Sequence, residues 1–388
     1  MNFDLIVRGG HVLDPGQGLD GDLEIGVRNG RIAALQHELV SEGPPPRIVD
    51  ASGALVVPGL IDIHAHVYTG VSPLTVPADE VCSPAGVTTI VSAGDAGAHT
   101  IEGFRQLIVN QSRTRVLCFL HISSIGLASF PVGESLVEGL LDVGAAEAAI
   151  ARFPEFIVGI KVRQGGAGVT GSNGLEPLRR AAQVKDLTGL PVMVHITDSD
   201  APIEDLLGFL NQGDIVTHCF TGSDHGLRER NGISNAALAA RKRGVLFDVG
   251  HGAGSFDFGV AEAAARMGFW PDTISTDLHS ISAPTAKSLP SVMSKMLAVG
   301  MPLKEVIEAT TSRAAKAINR ESSIGSLVVG RVADIAVLEK RNGEVQLTDT
   351  FGNTRTADRQ LMARATIRAG VVWGAPAHPG IGVAVLNQ

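Results

Sequence analysis

Six polar residues close apolar, strand-like runs, and their types suit a divalent metal. The first run is Leu60-Ile61-Asp62-Ile63-His64-Ala65-His66. Strand side chains alternate between faces, so Asp62, His64 and His66 share one face and two imidazoles can grip one ion. Alone, a His-x-His pair says little, because histidines more often sit at the surface or in a satisfied core. Lys161 lies inside Phe156-Ile157-Val158-Gly159-Ile160-Lys161-Val162-Arg163. A buried lysine is costly unless it is paired or modified. It is either a lysine at the wet end of a strand or one carboxylated by CO2, an oxygen ligand able to bridge two metals. His195 closes Val192-Met193-Val194, His218 closes Ile215-Val216-Thr217, and Asp277 closes Thr273-Ile274-Ser275-Thr276. Each alone has a bland explanation as a strand-end residue. Together they read as a metal site, with Asp62 behind it orienting a ligand His.

Such residues must be brought together by the elements that carry them. Apolar runs of strand length begin near Val56, Thr88, Val116, Phe156, Pro191, Ile215, Val245 and Thr273. Helix-compatible stretches lie between them, among them Gly133–Arg152 and Leu175–Thr188. Eight strands apolar on both faces, alternating with helices, predict an α/β fold of the (β/α)8 TIM-barrel type, whose active-site residues sit at the C-terminal ends of the strands. An open doubly wound sheet is the minority alternative. The two chain ends read differently, as short strands and turns. Leu5-Ile6-Val7-Arg8 and the alternating Asp22–Val27 are strands, Arg28-Asn29-Gly30-Arg31 is a hairpin turn, and Pro44-Pro45-Pro46 is a stiff break. Near the other end, Arg331–Leu338 and Ala365–Trp373 are strands, with a hairpin turn at Arg341-Asn342-Gly343. Residues 1–57 and 327–388 are therefore expected to pair as one small β-sandwich domain around a barrel of residues 58–326.

Composition narrows the function classes. Of 388 residues, 44% are apolar and 19% charged, enough for a large core. The net charge is −8 and no Lys/Arg cluster appears, which argues against nucleic acid as a partner. Three cysteines without a Cys-x-x-Cys pair suggest neither a disulfide framework nor a zinc knuckle. Asp4 stands where a secretory leader would be basic, and no apolar stretch approaches the ~20 residues of a membrane span. A cytoplasmic protein without membrane contact is expected.

These motifs resemble the amidohydrolase superfamily, and within it the amidohydrolase/deacetylase metallohydrolase group, which is dihydroorotase-like. The resemblance covers nearly the whole chain. It rests on Val57-Pro58-Gly59-Leu60 through His66, on Gly159 to Arg163, on Gly250-His251-Gly252-Ala253-Gly254-Ser255-Phe256, on Ser275-Thr276-Asp277-Leu278-His279, and on Gly325 to Asp334. It implies two divalent metal ions, commonly Zn2+, although Mn2+ and Fe2+ accept the same mixed ligands. His64, His66 and Asp277 would hold the buried metal, His195 and His218 the outer one, and a CO2-derived carbamate on Lys161 would bridge them. A metal-bridging hydroxide would attack the substrate carbonyl, with Asp277 as proton shuttle.

The implied reaction removes a small, acetyl-like acyl group from an N-acyl amino acid or an O-acyl hydroxy carboxylic acid, a small-molecule substrate carrying a carboxylate. The alternative is a cyclic amide or imide hydrolase of the dihydroorotase or dihydropyrimidinase type. Dihydroorotases usually carry Arg two residues after His-x-His, where this chain has Tyr68. A silent binding homologue would lack a ligand, and all six are present; a Schiff-base role for Lys161 would not need the histidines. Tyr68 could donate to the developing oxyanion or simply pack. Arg163 could pair with the substrate carboxylate or with a neighbour at the rim. His251 and Ser255 could hydrogen-bond the substrate or belong to a tight turn. His99, His121, His225 and His279 read as structural or surface residues. Such barrels often assemble, so a homo-oligomer is expected.

Overall fold

Strands apolar on both faces need cover inside and outside, and a closed barrel supplies it. The computed structural model describes residues 1–229 and 232–373. Seven parallel strands follow one another in chain order: Leu60–Ala65, Val87–Gly97, Arg115–His121, Ile157–Arg163, Val192–His195, Ile215–Thr217 and Leu246–Phe247. Residues 273–278 form the eighth stave. Parallel bridges join Thr273 to Asp248 on one side and Leu278 to Ala65 on the other. The Asp277 N–H donates to the His64 carbonyl at 2.7 Å and the His66 N–H to the Leu278 carbonyl at 2.9 Å, which closes the barrel. The stave is bridged rather than laddered because Asp277 takes a left-handed φ of 47° that breaks the extended run.

The expected strand near Val56 is two strands with different jobs. Leu55–Pro58 pairs antiparallel with Ile335–Leu338, outside the barrel, whereas Leu60–Ala65 enters it. Leu55–Pro58 belongs to a six-stranded sheet ordered Val371–Val372, Thr354–Arg368, Ile335–Thr348, Leu55–Pro58, His11–Asp14 and Leu19–Asp22, so both chain ends build it. A four-stranded sheet faces it, ordered Arg31–Gln36, Glu24–Arg28, Leu5–Arg8 and Arg47–Asp50. The turn between Glu24–Arg28 and Arg31–Gln36 has positive φ at both Asn29 and Gly30, as a tight hairpin requires. Of the end segment 327–388, residues 374–388 lie outside the described residues.

Alternation lets the six-stranded sheet serve two cores. Val56, Ile335 and Val337 pack with Leu5, Ile25 and Ile32 between the two sheets. Leu55, Val57, Ala336 and Leu338 point the other way, into the barrel's core. Among the described residues no helix is long and apolar enough to cross a membrane.

The hairpin expected at Arg341-Asn342-Gly343 is not there. Ile335–Thr348 runs through it with a register shift between Asn342 and Val345, a bulge rather than a turn. The turn comes at residues 349–353. There the Asp349 carboxylate accepts from the main-chain N–H groups of Phe351 and Asn353 at 2.9 and 2.8 Å. Carried this far, the hairpin tip touches the barrel. Phe258 donates its N–H to Asp349 at 3.0 Å, Thr350 donates to the Phe256 carbonyl at 3.1 Å, and Arg355 pairs with Glu262.

Candidate metal centre

The ends of the first, fourth, fifth, sixth and eighth staves converge at one mouth. One nitrogen from each of His64 and His66 and a carboxylate oxygen of Asp277 all lie within 4.8 Å of one another, and all three residues are buried. The Asp277 Oδ1 is 3.3 Å from His64 Nε2 and 3.0 Å from His66 Nε2. Lys161 Nζ approaches His64 Nε2 at 3.1 Å. The His218 ring lies 5.1 Å from that of His64 and 4.4 Å from that of His195. All six residues singled out by strand position thus share one site.

Backbone geometry aims two of them. His218 has φ 67° and Asp277 φ 47°. Left-handed conformations of non-glycine residues carry strain and persist only where surrounding structure holds them. Here each lets a side chain at a strand's end turn into the mouth.

The second nitrogen of each imidazole fixes which lone pair faces inward. His66 Nδ1–H donates to Asp95 Oδ1 at 2.6 Å, leaving Nε2 toward Asp277. His64 Nδ1–H donates to Thr217 Oγ1 at 2.8 Å, and that hydroxyl donates on to Asp248 at 2.8 Å. His218 Nδ1–H donates to the Gly250 carbonyl at 2.6 Å. Its Nε2 is buried and, among the described residues, has no hydrogen-bond partner, a costly state unless a cation takes the lone pair. His195 Nε2–H donates to the Thr197 carbonyl at 3.0 Å, which leaves Nδ1 as the available donor atom. Such outer partners are what metal-binding histidines need.

Electrostatics favour the same use. Burial lowers His64 and His195 well below the ordinary histidine value and brings His218 to about 4, so all three are neutral and can ligate. His66 differs: burial works against its charge, but Asp95 and Asp277 hold it up at about 9, so a cation binding there displaces a proton. Burial brings Lys161 down to about 8, within reach of the free amine. The donor set, four imidazoles and a carboxylate with an unpartnered buried nitrogen among them, fits divalent metal.

Other expected roles change. Among the described residues the Asp62 carboxylate hydrogen-bonds no imidazole; it accepts from the His64 main-chain N–H at 3.3 Å and from the Thr276 hydroxyl and N–H at 2.6 and 3.1 Å, lacing the first stave to the eighth. Tyr68 donates its hydroxyl to the Thr100 carbonyl at 3.0 Å and lies edge-on to Phe104, so it packs rather than facing substrate. His251 has both nitrogens engaged, Nε2 with Lys295 Nζ at 2.7 Å and Nδ1 with the Gly252 carbonyl at 3.0 Å, and is not free for a substrate. Ser255 Oγ meets Thr197 Oγ1 at 3.0 Å. Arg163 is held by both Glu134 oxygens, from Nε at 2.9 Å and Nη2 at 2.7 Å, leaving Nη1 outside that pair. Buried His121 stands 3.4 Å from the same carboxylate.

Sequence reasoning passed over Asp95 and Asp248 and read His279 as a structural or surface residue. Asp95 and Asp248 lie at the ends of the second and seventh staves, the same signal that marked the others. His279 Nε2 lies 3.9 Å from Asp277 Oδ2.

Known proteins resemble this chain over most of its length. Deacetylases from Agrobacterium fabrum and Enterococcus faecalis are 36% and 32% identical over 343 and 380 residues. These alignments cover 87% and 96% of this chain, and 83% and 100% of the relatives. Crystal structures of an adenine deaminase and a dihydroorotase superpose with TM-scores of 0.89 and 0.88 at 31% and 32% identity. Each covers 96% of this chain, and 100% and 99% of the respective structure. A D-hydantoinase with a TM-score of 0.67 at 16% identity shares the fold. Residues 55–362 match the amidohydrolase family, from the sheet strand Leu55–Pro58 to the second strand of the hairpin that touches the barrel, and the chain is a member of that family, a metal-dependent hydrolase.

Proposed function

We propose that this hydrolase removes a small, acetyl-like acyl group from an N-acyl amino acid or an O-acyl hydroxy carboxylic acid. The observation that carries the reading is the convergence of four oriented imidazoles, Lys161 and Asp277 at one mouth, with relatives whose names are deacetylase. His64, His66 and Asp277 would hold one divalent cation and His195 and His218 a second, Zn2+ or else Mn2+ or Fe2+, with carboxylated Lys161 between them. The pair would supply a water of lowered pKa and a Lewis acid for the acyl carbonyl.

The chain's own residues do the rest. The Lys161 amine, brought to about 8, has the free base that adds CO2. Asp277 Oδ2, the oxygen turned from the two imidazoles, takes the proton of the attacking water and delivers it to the leaving nitrogen or oxygen. The Nη1 of Arg163 is the cation available for a substrate carboxylate, while Glu134 keeps the guanidinium in place.

Elemental analysis should find about two divalent metals per chain, the complement of a two-metal site. Asp277→Asn should keep the metals and lose on the order of 10²–10⁴ in kcat on N-acetyl or O-acetyl acids. A chain still metal-free after reconstitution with Zn2+ or Mn2+ and bicarbonate would overturn the reading. Turnover of cyclic imides in place of acyl acids would move the substrate to the alternative named above.

A further inference from the structure

Among the described residues, one buried lysine takes no part in that chemistry. Lys295, on the helix Leu289–Ala298, is 2% exposed. Its ammonium donates to His251 Nε2 at 2.7 Å and to the Thr285 carbonyl at 3.0 Å. A lysine is seldom buried like this unless its donors are satisfied. The acceptor it meets is a histidine in the loop after the seventh strand, and that loop backs the metal cluster at three points. The Gly250 carbonyl accepts the Nδ1–H of His218. Gly252, at φ +57°, packs so closely on Asp277 that a Cβ there would lie 2.6 Å from Oδ2. Ser255 bonds Thr197, whose carbonyl orients His195.

A proton on Lys295 leaves His251 Nε2 only the role of acceptor. The ring must then carry its hydrogen on Nδ1, where it donates to the Gly252 carbonyl. Phe256 stacks on the ring at 5.1 Å and fixes its plane. We propose that Lys295 is a positioning residue of the hydrolase: by fixing the His251 tautomer it holds the Gly250–Ser255 loop in the form that aims His218 and confines Asp277. The inference rests on the two-metal reading of the site, and one readout below does not depend on metal.

The test compares Lys295→Met, His251→Phe, their double variant and His251→Gln. Gln can accept from the ammonium and donate to a carbonyl, as the ring does; Phe can do neither. Lys295→Met and His251→Phe should each weaken metal retention by about tenfold, the scale of a lost outer partner, and lower kcat/KM with it. The double variant should be no worse than the worse single, because both break one chain of contacts. His251→Gln should fall between wild type and His251→Phe in both readouts.

Independently, nitrogen NMR of ¹⁵N-histidine-labelled, metal-free protein should find His251 as the Nδ1–H tautomer in wild type and as a mixture in Lys295→Met. Additive losses, a folded Lys295→Met with wild-type metal retention, or an unchanged tautomer would each overturn the proposal. Should Lys295→Met not fold, equal activity and metal retention in His251→Gln and His251→Phe would overturn it. If the wild type binds no metal, the two-metal reading falls while the tautomer measurement still decides the part of Lys295.

Discussion

Each imidazole at the mouth is steered by a different acceptor: a carboxylate for His66, a hydroxyl relayed to a carboxylate for His64, and main-chain carbonyls for His195 and His218. The strongest of these is Asp95, which also accepts from the N–H groups of Val67 and Tyr68 and from the Ser92 hydroxyl. Asp95→Asn keeps the shape and removes the charge. Metal affinity is expected to fall by about 10–100-fold, measured by competition with a chelator, with little change in the far-ultraviolet circular dichroism. Unchanged affinity would mean that Asp95 serves the Val67–Tyr68 turn alone. The candidate ligands stood out in the sequence because a polar residue that closes an apolar strand is conspicuous. Asp95 and Asp248 close strands too, but their purpose depends on which ring lies across the barrel, and spacing along the chain does not carry that. For Tyr68 and His251 the sequence left substrate contact and packing both open for the converse reason: their positions near the mouth were readable, while the Thr100 carbonyl and Lys295 that occupy them come from distant segments.

At the scale of elements, the long hairpin is the least expected part. An Asn-Gly pair reads locally as a turn whether the strand folds back or merely bulges, and only the partner strand decides; here pairing continues from Val345↔Ala357 to Thr348↔Thr354. Its tip is held by Asp349, 2% exposed, which also receives the Phe258 N–H at the start of the helix Phe258–Arg266. Asp349→Ala should leave several buried donors unmatched and cost about 1–3 kcal/mol of stability by denaturant titration. Because Phe256 and Phe258 follow the His251 loop, kcat/KM should also drop by about tenfold through misplacement. Loss of stability with intact kinetics would confine the tip to a structural part. The barrel strands, by contrast, were readable almost one for one, since burial on both faces leaves an unbroken apolar run. The exception is the run at Val56, where a sheet strand and a barrel strand adjoin and both are apolar.

For the molecule as a whole, Glu134 links catalytic rim and stability. Burial would raise its carboxyl, but the two hydrogen bonds from Arg163, with His121 close by at 3.4 Å, prevail and bring it from 4.5 to about 2. A carboxylate held down in the folded state stabilises it above the unfolded value and loses that contribution as pH falls. The relevant window runs from about 4.5 down to about 2, and the contribution is on the order of 3 kcal/mol. Glu134→Gln should be less stable than wild type at neutral pH, and the two unfolding curves should converge as the solution is acidified through that window. Parallel curves would show that the pair contributes little.

The sheet that both cores share imposes a counting rule on the gene. Even-numbered residues Ala336 and Leu338 face the barrel, while odd-numbered Ile335 and Val337 face the sandwich. Past the bulge the parity is reversed, and Val345 and Leu347 are the ones that face the barrel. A single codon gained or lost before the bulge would swap the occupants of two interiors at once. The same change at the bulge alters only how many residues bridge the two phases. Length variation among descendants of this chain should therefore come in twos along the strand and in ones only at the place where the count already slips.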